Sequence, residues 1–168
     1  MIPGDRGHGR PETPTPMTLI NKLHELLCKV GHLLKSPVLL LIRLYWGWHF
    51  MGTGWGKWHN LGKVTEYFAS LNIPAPHLNA IMAASTELVG GTLLLLGLYS
   101  RFASLALIGV MCVAYGTAEK EALTAIFSNP DKFLGADPFL FLYASILVFA
   151  FGPGQFSVDA LNGREKKA

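Results

Sequence analysis

Apolar runs separated by short polar stretches divide this chain into helices. From Thr18 to Lys35, Leu19, Leu23, Leu26, Leu27, Val30, Leu33 and Leu34 recur at helical spacing, and Lys22, His24, Lys29 and Lys35 take much of the remainder. That pattern predicts an amphipathic basic helix suited to a membrane interface; the alternative is a helix packed on a soluble partner surface. Ser36-Pro37 opens the next element, since proline is tolerated in a helix's first turn. Val38 to Met51 is apolar apart from Arg43 and His49, and the helix is expected to continue through Gly52 to Trp58. Gly52 and Gly56 stand at a GxxxG spacing, which lets another helix come close. Trp55 and Trp58 suit an interfacial aromatic belt.

Residues 59–79 read as a loop, with Val64, Tyr67, Phe68 and Leu71 forming a short amphipathic turn that Pro74 and Pro76 stop. Ala80 to Tyr99 is the second apolar run, and Glu87 is its only charge. Ser100-Arg101 makes a tight turn, so the next helix must be an antiparallel neighbour. Phe102 to Ala118 is the third run, with Gly109, Cys112 and Gly116 on one small-residue face. The fourth extends from about Phe139 to Phe151, and Gly152-Pro153-Gly154 ends it. A helix needs about 20 mostly apolar residues to cross a bilayer. The expected fold class is therefore all-α: an integral membrane four-helix bundle preceded by the amphipathic interfacial helix. The expected divisions are a disordered tail over 1–16, the interfacial helix over 17–36, the four-span domain over 37–155 and a cytoplasmic tail over 156–168. The first of these is too poor in apolar residues to order itself and lacks the basic start and apolar centre of a cleavable signal.

Composition agrees with a membrane chain. Of 168 residues 51% are hydrophobic and 15% charged, against about 25% charged in an ordinary soluble domain, and the mean hydropathy is +0.34. A net charge of +3 is too small to point to nucleic acid. The placement of charge says more. Outside the spans, nine Lys and Arg fall on the side of the two termini and four (Lys57, Lys63, Lys120 and Lys132) on the other, which places both termini in the cytoplasm. Cys28 and Cys112 form no CxxC pair, so neither a thiol relay nor a cysteine zinc site is expected. No metal site is expected elsewhere. His59 and His77 sit in the outer loop, where two histidines are ordinarily solvated, and a haem held by two histidines would need a second one beside His49 within the spans.

Glu87 is the natural start for a functional reading, because a carboxylate in a span costs roughly 2.5 to 3.5 kcal/mol or more. At about 1.5 Å of rise per residue, Glu87 lies roughly 11 Å from the outer edge of its span. On the same scale His49 is roughly 16 Å, and Arg43 roughly 8 Å, from the inner edge of the first span. The expectation is a polar cluster of Glu87, His49 and Arg43 inside the bundle. A carboxyl left unpaired there would stay protonated, and a cation beside it would favour ionisation. Three readings stay open: a buried pair that fixes helix register, a site for a quinone head group, or a small-molecule path. Tyr45, Trp46, Trp48 and Lys57 are the candidates to line a quinone slot.

Taken together, these segments resemble the DoxX family of small bacterial membrane proteins. The likeness runs from about Val38 to Leu161. It includes Arg43-Leu44 with Gly47, the stretch Gly54 to Lys57, the loop Leu71-Asn72-Ile73-Pro74-Ala75-Pro76, Glu87-Leu88-Val89-Gly90-Gly91, Gly97-Leu98 with Arg101, and Gly152 to Leu161. The resemblance implies a four-helix integral membrane protein. It implies a link to a terminal quinol oxidase, a thiosulfate:quinone oxidoreductase, membrane redox complexes or oxidative-stress defence. It also implies importance for Arg43, Lys57, Glu87, Gly90, Gly91 and Arg101 without fixing their roles. With the Glu87, His49 and Arg43 set, the resemblance implies a redox-linked subunit in quinone-associated electron transfer or oxidative-stress defence, and because the sequence carries no flavin, haem or iron–sulfur motif a protein partner is expected to carry the electrons. If it is an enzyme at all, it is an oxidoreductase subunit. The alternatives are a non-enzymatic scaffold or assembly subunit and a small-solute carrier.

Overall fold

The structure is a computed structural model, and it describes residues 16–163. The N-terminal tail up to residue 15 and the basic end of the C-terminal tail lie outside those residues. Every element among the described residues is a helix: α1 Pro16–His59, α2 Leu61–Ser70, α3 Pro76–Leu96, α4 Ser100–Thr117, α5 Lys120–Thr124, α6 Pro130–Leu134, α7 Pro138–Phe151 and α8 Val158–Leu161. α3 and α4 are long and apolar enough to cross a membrane, and α7 is a shorter apolar helix. The chain divides between Leu34 and Lys35 into two units.

In the first unit, α1 exposes its whole apolar stripe, from Leu19 to Leu34. In the second, Phe50 of α1, Leu94 of α3, Leu107 and Met111 of α4 and Val148 of α7 form one buried core. Phe141 of α7 closes it from the side, with its ring 4.7 Å from Phe50 and 4.9 Å from Trp46. The outward faces of these helices stay apolar: Leu41, Trp48, Phe102, Leu105 and Val113 are all more than half exposed.

Glycine sets the distance between α1 and α3, but at other positions than the GxxxG spacing indicates. A Cβ on Gly52 or Gly56 would meet nothing within 4 Å. A Cβ on Gly54 would collide with the Leu88 nitrogen, and one on Gly47 would lie 2.8 Å from the Leu95 nitrogen. Gly91 completes the contact, its Cβ position being 2.6 Å from the Met51 nitrogen. The contact spacing is seven residues, two turns of a helix, so Gly47 and Gly54 share one face while Gly52 and Gly56 look elsewhere. Because Gly47 meets Leu95 and Gly54 meets Leu88, α1 and α3 run antiparallel.

The turn between α3 and α4 is closed by residues from two distant segments. α3 ends in a Schellman arrangement: Leu98 N–H donates to the Leu93 carbonyl at 3.0 Å, Gly97 N–H to that of Leu94 at 3.1 Å, and Gly97 takes φ +70°. Arg43, 1% exposed, donates from Nε to the Leu94 carbonyl (3.0 Å) and from its terminal nitrogens to the carbonyls of Leu95 (3.2 Å), Pro153 (2.6 Å) and Phe156 (3.0 Å). A cation there faces the negative end of the α3 dipole. Asp159, also buried, accepts from the backbone N–H of Tyr99 and Ser100, each at 2.9 Å, and from the Ser100 hydroxyl at 3.1 Å. It caps α4 from 59 residues away in sequence. Ser157 caps the short α8 that carries Asp159, accepting from Ala160 N–H at 3.1 Å.

Candidate functional site

The register of α1 on α3 decides what Glu87 meets. Gly54 lies against Leu88, so Lys57, nearly one turn further along α1, comes level with the Glu87 side chain. The two form a salt bridge between Lys57 Nζ and Glu87 Oε2. Glu87 is shut in, with its side chain 3% exposed; that of Lys57 is 30% exposed. The ammonium reaches a buried carboxylate on a four-carbon stem while part of it still faces open space.

That open space is a cavity of about 760 Å³. Lys57 and Thr53 of α1 and Ala83, Thr86 and Glu87 of α3 form one wall. Val110, Met111, Val113 and Ala114 of α4, with Phe141 of α7, form the other. Tyr67 and Phe68 of α2, then Leu71 and Ile73, cover it, and Thr117, Glu119 and Asp137 add polar atoms. α2 has no buried residue and packs along α3, so its apolar side serves the cavity. Volume and lining fall in the range of small-molecule sites: mostly apolar, with a few fixed polar groups.

The structure separates the three residues expected to cluster, Glu87, His49 and Arg43. The carbonyls that hold Arg43, on Leu94 and Leu95, lie about 10 Å along α3 from Glu87. His49 is exposed, and its ring stands 4.5 Å from Tyr45, 5.8 Å from Trp46 and 6.5 Å from Phe141. Tyr45 and Trp48 are exposed as well, and none of Tyr45, Trp46, Trp48 and His49 is among the residues lining the cavity. Of the candidates named from sequence, Lys57 and Glu87 are the two that line it. The depth of His49 matched that of Glu87, but depth does not say which way a side chain points. The signal for Lys57 was Gly54, three residues earlier, once paired with Leu88.

His59, at the end of α1, and His77, in the first turn of α3, each have a partner of their own. His59 Nδ1 is 3.0 Å from the Trp55 carbonyl, and His77 Nδ1 is 3.3 Å from Thr65 Oγ1. Among the described residues, no group of three His, Cys, Asp or Glu is placed to hold a metal ion. Cys28 and Cys112 are both exposed free thiols. On α5 and α6, Lys132 donates to Glu121 at 2.8 Å, and that hydrogen bond, then the lysine's charge, holds the Glu121 carboxyl below its ordinary range.

Helices apolar on their outward faces, two of them long and apolar enough to span a membrane, around an ion pair at an apolar cavity define a helical protein with a small-molecule-sized site. A family model described as DoxX matches residues 38–120. A Bacillus subtilis protein named "Putative oxidoreductase CatD" is 30% identical over 117 residues, which cover 61% of this chain and 86% of that one. An "Uncharacterized protein" of Haemophilus influenzae Rd is 24% identical over 138 residues, covering 80% of this chain and 89% of that one. The chain belongs to the DoxX family, whose members are membrane-associated. No solved structure matches it.

Proposed function

We propose that this chain is a multi-pass inner-membrane protein whose cavity receives the head group of a quinone or quinol, and that it acts as a redox-linked subunit beside a partner protein. The carrying observation is the Lys57–Glu87 pair in the wall of the 760 Å³ cavity. The pair puts a donor and an acceptor side by side with no net charge. It therefore suits a neutral head group that accepts through a carbonyl when oxidised and donates through a hydroxyl when reduced better than it suits an ion. Lys57 donates to a quinone carbonyl; Glu87 accepts from a quinol hydroxyl. Apolar side chains of α2, α4 and α7 hold the ring and the start of its tail. The relative's name, which includes oxidoreductase, supports the redox direction. The electrons come from the partner, and the pair's share is to orient the head group and exchange protons with it.

In this reading α1, α3, α4 and α7 are the four spans. Their exposed apolar faces meet lipid, and both termini are cytoplasmic. The test is purification in mild detergent, mass spectrometry of co-purifying lipids and proteins, and titration with a short-tailed quinone. Near-stoichiometric quinone that drops by tenfold or more with Glu87→Gln or Lys57→Met supports the site. A stable partner complex with no quinone, unchanged by either substitution, makes the pair a staple between α1 and α3 and the protein a scaffold.

A further inference from the structure

The apolar stripe of α1 from Leu19 to Leu34 takes no part in the cavity, and its eight large side chains are 43% to 76% exposed. At about 100° per residue, all eight fall within about 140° of the helix circumference. The other residues, from Asn21 to Lys35, fill the remaining arc. The lysines are not scattered over that arc. Lys22 and Lys29 border one edge of the apolar stripe, and His24 and Lys35 stand near the other. The far side carries Asn21, Glu25 and His32.

We infer that residues 19–34 dock on the anionic surface of a lipid bilayer. A helix lying in an interface sinks its apolar face below the headgroups and needs its cations at the boundary, where long stems let ammonium groups reach phosphate. Lys22 and Lys29 supply that at one edge; near the other stand His24 and Lys35, the latter with its ammonium 5.9 Å from the centre of the Phe151 ring. A second copy of the helix fits less well. In heptad terms Lys22 and Lys29 would flank the seam, opposite Ile20, Leu27 and Leu34 and with no acidic partner, whereas paired helices place opposite charges there. An acidic protein groove would pair the lysines but not explain a stripe this wide. The inference is independent of the quinone reading, since no residue is shared.

Spin labels on the full chain in vesicles test it. In a background with Cys28→Ala and Cys112→Ala, Leu26→Cys puts a label on the apolar stripe and Glu25→Cys puts one on the far polar side. With phosphatidylglycerol present, the label at 26 is expected to be reached by oxygen and shielded from an aqueous relaxation agent, and the label at 25 the reverse. Lys22→Gln, Lys29→Gln and Lys35→Gln together lower docking by on the order of a hundredfold, at about fivefold per lysine, and added salt acts the same way. Two labels equally open to the aqueous agent overturn the inference. So does shielding at 26 that persists in pure phosphatidylcholine, or that comes with spin–spin broadening, the mark of a second copy.

Discussion

At the scale of single residues, the three buried charges of the second unit meet their burial in different ways. Glu87 is matched by one cation. Arg43 is matched by a ring of carbonyl oxygens, and Asp159 accepts N–H groups at a helix start. Removing one member of a shielded pair leaves the other uncompensated, at a cost that reaches about 3–5 kcal/mol when both are fully buried. The partial exposure of Lys57 lowers this, so Lys57→Met is expected to destabilise by about 1–3 kcal/mol. Lys57→Met with Glu87→Leu should recover most of that loss in a double-mutant cycle read by thermal unfolding in detergent. A double variant as unstable as the sum of the singles would mean that the two do not interact. Arg43 behaves otherwise. Arg43→Lys keeps the charge but loses the planar fork that reaches several carbonyls at once. It should cost more than about 2 kcal/mol and lower the unfolding temperature almost as much as Arg43→Met.

At the scale of elements, the glycines separate close approach from mere spacing. Gly54→Ala and Gly91→Ala push a Cβ into the backbone of the facing helix and should lower stability by more than about 2 kcal/mol. Gly52→Ala and Gly56→Ala meet open space and should be neutral or stabilise by up to about 1 kcal/mol through helix propensity. Thermal unfolding of the four variants in one detergent orders them, and loss of stability in the second pair would refute the α1–α3 register. The order of the apolar helices was legible in the sequence because periodicity acts locally, but two boundaries were not: the α3–α4 turn lies at Gly97–Tyr99, with Ser100-Arg101 already in α4, and α1 runs through Ser36-Pro37 as one helix. The α1–α3 face was not, because a GxxxG spacing fits any pair of small residues, and only the partner's surface picks Gly47 and Gly54. Glu87 was legible as a lone charge in an apolar run. Its partner was not, since a lysine side chain can bridge more than a turn, and counting from the span edges favoured His49. Asp159 was not legible as the cap of α4, because 59 residues separate it from Ser100. The α5–α6 connection adds a case governed by pH. With its carboxyl held low by Lys132, Glu121 contributes above its unfolded titration range and loses that contribution as pH falls through its lower folded value. Lys132→Ala should return the Glu121 titration to the ordinary carboxylate range, as carbon-13 NMR of the side chain would show.

At the scale of the whole molecule, charge placement makes the proposed topology testable apart from any ligand. Nine Lys and Arg on the terminal side against four on the loop side favour retention of the termini in the cytoplasm. The loop side holds α2, α5 and α6, and with them Lys57, so in this topology the ion pair and cavity lie toward the outer half of the bilayer. Green fluorescent protein at the C-terminus should therefore fluoresce, and alkaline phosphatase there should be inactive. The phosphatase should be active when inserted near Asn72 or Phe127, in the two longer connections. The opposite pattern would place the Lys57–Glu87 cavity toward the cytoplasm, where a soluble reductant could reach it directly, and the membrane partner would no longer be needed. On the proposed function, the orientation thus decides whether electrons must cross part of the bilayer before they meet a head group at the Lys57–Glu87 pair.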